Sequence, residues 1–225
     1  MTVVDPFTGH QLWADVYDTV PNPLLSLEER ELSKWLGDLH GLSVADVGCG
    51  TGRWMQRAQN LEAKSLVGID FSPNMLIQAA QKPGLRGRLV LANATQVPLK
   101  SSSIDCVICG FVLGYFSTLD LVASELSRIM KPNTSLFCSD FHPSAHQRGW
   151  RRVFKKDGRN VEIESTLSQA AQIVKTFEGH FHLERQADLQ LGEPERSLFE
   201  KAGKLEFFDK VKGFPAVILF QWRKL

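Results

Sequence analysis

Val44-Ala45-Asp46-Val47-Gly48-Cys49-Gly50-Thr51-Gly52 decides the reading of this chain. An apolar run closes on an acidic residue and then on three glycines at alternate positions, as a buried strand does when it ends against a bound nucleoside. Glycine is needed there because a Cβ would hold the backbone away from the ligand and would penalise a positive φ. A second apolar run, Leu66-Val67-Gly68-Ile69, closes on Asp70. That carboxylate falls close to the roughly 20 positions after the loop at which an acidic strand tip takes ribose hydroxyls. Loop and carboxylate together point to an adenosine site.

The spacing chooses among adenosine ligands. Dinucleotide loops read G-x-G-x-x-G, and their last glycine lets a helix pack closely with its N-terminus toward a pyrophosphate. Here the pattern is G-x-G-x-G, with Arg53-Trp54 where that close packing would be needed. The chain resembles the class I S-adenosylmethionine-dependent methyltransferases, whose first motif reads D/E-x-G-x-G-x-G, and within them the type 11 and ubiquinone/menaquinone C-methyltransferase-like group. The likeness continues in family order through Val67-Gly68-Ile69-Asp70-Phe71-Ser72-Pro73-Asn74-Met75-Leu76 and Ala92-Asn93-Ala94-Thr95-Gln96-Val97-Pro98-Leu99. It is completed by Ile104-Asp105-Cys106-Val107-Ile108-Cys109 and Glu125-Leu126-Ser127-Arg128-Ile129-Met130-Lys131-Pro132.

The resemblance implies S-adenosylmethionine as cofactor and assigns it a set of contacts. Asp70 would take the ribose, with Phe71 and Met75 beside it, and Asn93 and Ala94 would meet the adenine. Asn93 stands where the family usually has aspartate, and its amide oxygen can still accept from the exocyclic amine. Asp46, the loop residues Gly48, Cys49, Gly50 and Gly52, and the backbone at Cys109 and Gly110 would hold the methionine end. Arg53 is a further candidate there. Tyr17, in Trp13-Ala14-Asp15-Val16-Tyr17-Asp18, resembles a position that covers the methyl group.

Composition sets limits. The chain has 225 residues, 43% of them hydrophobic and 23% charged, which suits one domain with a sizeable core. We expect a helical cap over 1–41, a cofactor-binding half over 42–140 and a substrate-side region over 141–225. A formal net charge of +1 gives no overall field to gather nucleic acid. Cys49, Cys106, Cys109 and Cys138 lie in apolar runs or the glycine loop, as small buried hydrophobes of a reducing compartment do. Cys106 and Cys109 are three apart on an expected strand, so they face opposite sides and form no metal pair. No N-terminal apolar run follows a basic start, no run approaches the roughly 20 residues that span a bilayer, and the expected location is the cytoplasm.

Apolar runs alternating with helical patterns predict an α/β fold: a doubly wound, seven-stranded, mostly parallel sheet of Rossmann-like methyltransferase type with an antiparallel last strand. Strands are expected at about 43–47, 65–70, 88–92, 105–109, 135–140, 180–191 and 216–222. The segment before residue 25 reads as irregular or a short helix. Ser26-Leu27-Glu28-Glu29 reads as a capping box opening a helix that Gly41 stops. Further helices are expected at about 52–61, from Pro73 after a Ser72 cap to Lys82-Pro83-Gly84, and over 118–130, the last packing through Leu121, Val122, Leu126 and Ile129. Residues 150–164 read as a hairpin turning at Lys156-Asp157-Gly158, followed by helices over 166–177 and 194–210.

Methyl transfer needs mainly placement, since the sulfonium is already activated, and a base only where the acceptor must lose a proton. The acceptor wall is expected from Phe111, Leu113, Tyr115, Phe116, His142, His146 and Trp150. Tyr115 and His142 are the catalytic candidates, His142 because an imidazole suits proton removal near neutral pH. Many relatives carry His-His where this chain has Gly114-Tyr115. Asp140, His142 and His146 do not match the ligand pattern of metal-using relatives, and no metal is expected. The basic stretch 148–159 offers two readings, an RNA-binding stripe and a solvated hairpin. A small-molecule acceptor is the first expectation, with no membrane partner, nucleic acid disfavoured and oligomeric state open. A tRNA, rRNA or protein methyltransferase using that hairpin, and a non-catalytic cofactor-binding subunit, are the alternatives.

Overall fold

Helical and strand periodicities alternate along the chain's first two thirds, and each apolar run becomes a central strand because both of its faces are covered. The computed structural model describes residues 1–225. It opens with β1 (Thr2–Val4), α1 (Pro6–Trp13) and α2 (Pro23–Leu36). Then follow β2 (Ser43–Val47), α3 (Arg53–Asn60), β3 (Ser65–Asp70), α4 (Pro73–Ala80), β4 (Leu89–Leu91), β5 (Ile104–Gly110), α5 (Asp120–Ile129) and β6 (Met130–Phe141). The remainder comprises α6 (Pro143–Gln147), β7 (Arg152–Lys156), β8 (Arg159–Ile163), α7 (Ala170–Phe177), β9 (Phe181–Gln190), α8 (Glu193–Lys201), α9 (Leu205–Val211) and β10 (Pro215–Lys224).

The main sheet has seven strands in the order β4-β3-β2-β5-β6-β10-β9. The first five are parallel, with Val47 opposite Ile69 and Ala45 opposite Val107. β10 runs antiparallel between β6 and β9. Strand order reverses between β2 and β5, and ligands of open α/β sheets bind at the carboxyl ends beside such a switch point. One hydrophobic cluster covers each face of the sheet. Cys106 joins one cluster and Cys109 the other, as strand alternation requires.

Local chemistry sets the boundaries, in places differently from the sequence reading. Ser72 caps α4, its hydroxyl accepting from the Met75 amide at 3.3 Å with Pro73 next in the chain. The capping box expected at Ser26 does not form. Asn22 caps α2 instead, accepting from the Leu24 and Leu25 amides, because Pro23 at the first helical position needs no partner. The same helix stops at Gly37 rather than Gly41, through a φ of +64°. Leu121 is 64% exposed, off the α5 stripe made by Val122, Ala123, Leu126 and Ile129. The helix expected over 194–210 is two, α8 and α9, separated by Gly203 at φ +65°.

The N-terminal segment is more ordered than its composition suggests. β1 pairs in parallel with β8, and β8 with β7, in a separate three-stranded sheet. The hairpin turns at Asp157 and Gly158, both at positive φ, as a tight hairpin turn demands. α1 lies against this sheet at Gly9, where a Cβ would stand 2.6 Å from Ile163 Cγ1. Gln11 ties α1 to the start of α4, its Oε1 accepting from Ser72 Oγ and the Asn74 amide at 3.1 and 3.0 Å. The chain's first residues thereby form a lid over the strand ends.

Candidate active site

Beneath that lid, the carboxyl ends of β2 to β6 open into one cavity of about 550 Å³. Its floor is the glycine turn. Gly48 lies at φ +76°, and a Cβ there would stand 2.1 Å from Val112 Cγ2, while Gly50 at φ +52° leaves open space. Gly48 and Gly50 line the cavity. Gly52 does not, because it opens α3 in a left-handed conformation against Leu85 of the α4–β4 connection, 2.6 Å from where its Cβ would be.

Asp70 stands at the tip of β3, 4% exposed, and lines the cavity. Its Oδ2 accepts from the Gly50 amide and its Oδ1 from the Ser72 amide, both at 2.8 Å, so the carboxylate also fixes the turn. Burial pushes its pKa up to about 6, against the pull of those amides. Asp46 is buried two residues before the turn, and its Oδ2 has no partner in the protein. Burial raises its pKa to about 7, Arg53 opposing and Asp70 adding to the rise. A buried carboxylate oxygen without a donor is costly, and a cation beside the turn would satisfy it.

Of the residues expected at the site, Tyr17, Gly48, Gly50, Asp70, Phe71, Met75, Asn93, Ala94, Gly110 and Tyr115 share the wall of this cavity. Asp46, Cys49, Gly52 and Cys109 lie behind it, Cys109 wholly inside the core. Asn93 needs a correction: its Oδ1 accepts from both the Thr95 amide and the Thr95 hydroxyl at 3.0 Å, so the amide NH2 is the group left free. Arg53 is paired through Nη2 with the buried Glu28, while its Nη1, 3.8 Å from Glu29, has no hydrogen-bond partner in the protein.

His142 is not in the cavity. It caps α6, its Nδ1 accepting from the Ser144 amide at 3.1 Å, while Nε2 stands 3.4 Å from Asp188 of β9. A proline after it and a serine two positions on make a capping role natural. His146 and Leu113 also lie outside. Gly114 explains why no histidine pair stands here: a Cβ would meet Arg152 Nη2 at 2.6 Å and Asp140 Oδ2 at 3.2 Å. That space is filled by a buried Arg152–Asp140 ion pair, with Asp140 also accepting from the Gly114 amide. Arg152 stacks on Tyr115 and Phe141, 4.5 and 4.6 Å from their ring centres.

Two participants, Glu28 and His10, escaped the sequence reading, and an expected one, Phe111, has an unexpected backbone. Glu28 lies behind Gly110 at the core of a buried network, accepting from Arg53, Ser139 Oγ and Trp54 Nε1. Its helical spacing with Leu24, Leu27 and Leu32 was the available signal, since an acidic residue on an apolar stripe requires a partner. His10 lines the cavity from the lid. Phe111 adopts φ +60°, a strained conformation for an aromatic residue, where β5 ends at the cavity.

Comparison with known proteins agrees with this geometry. Residues 45–138 match the family described as methyltransferase domain. A demethylmenaquinone methyltransferase of Lactococcus lactis is 31% identical over 140 residues, 57% of this chain and 55% of that protein. A solved S-adenosylmethionine-dependent methyltransferase from Mesorhizobium loti superposes with a TM-score of 0.68 at 19% identity, covering 88% of this chain and 97% of the other. Geranyl diphosphate C-methyltransferase from Streptomyces coelicolor, solved with Mg2+, geranyl diphosphate and S-adenosylhomocysteine, gives 0.67 at 15% identity, covering 90% and 80%. The chain has the fold of the class I S-adenosylmethionine-dependent methyltransferases. Its central stretch is that of the methyltransferase domain family, and it spans little more than half the length of the curated relative.

The residues present fit the cofactor of that class. The turn leaves open space at Gly50, where a ligand could approach its backbone, and the orphaned Asp46 oxygen suits the α-ammonium of a bound amino acid.

Proposed function

We propose that the protein transfers a methyl group from S-adenosylmethionine to a small, flat, largely apolar acceptor. The observation that carries this reading is the continuity of the cavity. The glycine turn and Asp70 at one end open without a break onto an aromatic chamber at the other, with Trp13, Tyr115, Phe141, Trp150, Phe154 and Phe207 in its wall. When bound, the cofactor supplies an electrophilic methyl group on a sulfonium. Asp70 orients the ribose, Asn93 and the Ala94 backbone face the adenine, and the turn with Asp46 behind it holds the amino-acid end. Tyr17, Tyr115 and the lid exclude water from the space between donor and acceptor, where proximity contributes on the order of 7–11 kcal/mol. The expected base His142 lies outside the cavity, and placement is the main contribution we assign to the protein. A quinone-like ring, the acceptor class that the name of the Lactococcus relative suggests, suits an aromatic wall. The four cysteines, all buried and free, suit a reducing compartment such as the cytoplasm.

The basic stretch gives little support to an RNA acceptor. Arg152 is buried, Arg148 lies 3.5 Å over the Phe214 ring, and Lys156 is paired with Asp15. A screen with methyl-labelled S-adenosylmethionine against cell extract, split into small molecules, RNA and protein, tests the reading. Label should enter the small-molecule fraction. Label confined to RNA or protein refutes the acceptor class, and no transfer to any fraction points to the non-catalytic subunit.

A further inference from the structure

The acceptor end of the cavity contains a polar atom whose hydrogen-bonding role is fixed by its neighbours. His10 of α1 is buried, with its ring edge-on to Tyr115 and Phe71, centroids 4.8 and 5.3 Å away. Its Nδ1 lies 2.7 Å from the Pro6 carbonyl oxygen. A carbonyl only accepts, so Nδ1 carries the proton and Nε2 the lone pair. Nε2 makes no hydrogen bond within the protein. Burial, with the nearby Arg152 charge, lowers the pKa to about 4 and keeps the ring neutral, so this tautomer holds throughout the neutral range.

The surrounding side chains make Nε2 distinctive. Arg151, Arg152 and Lys204 line the same chamber and can only donate. Asn22 spends its oxygen on the Leu24 and Leu25 amides. The Asp140 carboxylate is taken by Arg152 and the Gly114 amide. From this geometry we infer that His10 Nε2 is the recognition point for an acceptor bearing a hydroxyl or N–H on an aromatic ring. The acceptor's ring lies against Tyr115 and Trp13, and its donor meets Nε2. This inference rests on the reading of the cavity as a methyl-acceptor chamber. It narrows the acceptor to aromatic molecules with a free donor, and it makes His10 a specificity residue at a position where the sequence offers no motif.

The test uses two probes, 1-naphthol and 1-methoxynaphthalene, in which a methyl group replaces the donor hydrogen, measured by equilibrium dialysis against the protein saturated with S-adenosylhomocysteine, with the His10→Phe variant as the control for the added methyl. One hydrogen bond in a dry site corresponds to roughly a 5- to 10-fold preference for the naphthol. His10→Phe keeps the aromatic packing and should reduce that preference to within about twofold, with S-adenosylhomocysteine affinity unchanged. An equal preference in His10→Phe, or no preference in the wild type, overturns the inference. The ring nitrogens of ¹⁵N-histidine-labelled protein give a second readout that needs no probe affinity. Nε2 should show the unprotonated signal and move when 1-naphthol is added. An Nε2–H tautomer, or an Nε2 signal that moves with S-adenosylhomocysteine and not with naphthol, assigns His10 elsewhere. Failure of S-adenosylhomocysteine to bind at all would instead remove the methyltransferase reading.

Discussion

Asp70→Ala removes a carboxylate with two tasks of opposite energetic sign. In the free protein Asp70 is buried with its pKa raised to about 6 from 3.8. A folded-state pKa above the unfolded value means the folded chain binds the proton more tightly, so this group's contribution to stability falls as pH rises from about 4 through 6. Above that window the ionised group costs the fold on the order of 3 kcal/mol. Alanine relieves this cost but leaves the Gly50 and Ser72 amides without their acceptor, a loss of about 1–3 kcal/mol each where no water replaces it. At pH 8 the two effects nearly cancel, and the unliganded variant should unfold within about 2 kcal/mol of the wild type. At pH 5 the relief is smaller and the variant should compare less well. Ligand binding gains no such offset. Two ribose hydroxyls lose a charged acceptor together, about 2–4 kcal/mol, which is roughly a 30- to 1,000-fold rise in Kd for S-adenosylhomocysteine. Asp70→Asn keeps one oxygen and should lose less. Calorimetry on both variants, alongside urea unfolding at pH 5 and 8, checks each part. Wild-type affinity in a folded Asp70→Ala protein would refute the ribose assignment.

Other consequences follow from the same groups. Because the ligand's hydroxyls and ammonium favour ionised Asp70 and Asp46, whose free-protein pKa values are about 6 and 7, binding at pH 6.5 should release protons and weaken as pH falls through that window. Calorimetry in buffers of different ionisation enthalpy measures the release, and tighter binding at pH 5.5 than at pH 8 contradicts it. Glu28→Ala strands Arg53, Ser139 and Trp54 Nε1 around a buried hole and should cost about 3–5 kcal/mol in urea unfolding. A loss below about 1 kcal/mol would show that the network is wet and dispensable. Gly48→Ala forces a Cβ onto Val112 at a positive φ and should destabilise the turn by about 1–3 kcal/mol while weakening S-adenosylhomocysteine binding. Unchanged affinity would mean that the turn does not approach the ligand.

The fold was legible where local rules and burial agree. β2 and β3 match their expected bounds because each is an apolar run closed by an acidic tip, and the Ser72-Pro73 start of α4 is a local hydrogen-bonding rule. The α2 cap was misread because Ser26 and Asn22 both satisfy capping chemistry, and the choice depends on Pro23 and on packing that one strand of sequence does not display. That residues from Gly48 to Gly110 meet at one cavity was legible through spacing along consecutive strand tips. The expected acceptor wall was legible in part, since Phe111, Tyr115, Phe116 and Trp150 line the cavity while Leu113, His142 and His146 do not. His10, Trp13 and Phe154 reach the cavity through a lid held by β1 pairing with β8, a contact between chain positions far apart and invisible to periodicity. His142 was chosen for its place at a strand end, yet its ring turned outward to cap α6. At Gly114 the space a side chain would take is filled by Arg152 and Asp140.

Thermal unfolding with and without ligand tests the central claim most directly. At about 100 times its Kd, S-adenosylhomocysteine should stabilise the protein by about 2.7 kcal/mol, raising Tm by roughly 5–10 °C for a chain of this size. NAD at the same concentration should leave Tm unchanged, because the turn lacks the third glycine that a pyrophosphate site uses and α3 begins with Arg53 and Trp54. An equal rise with NAD, or no rise with either S-adenosylmethionine or S-adenosylhomocysteine, would contradict the assignment of this cavity.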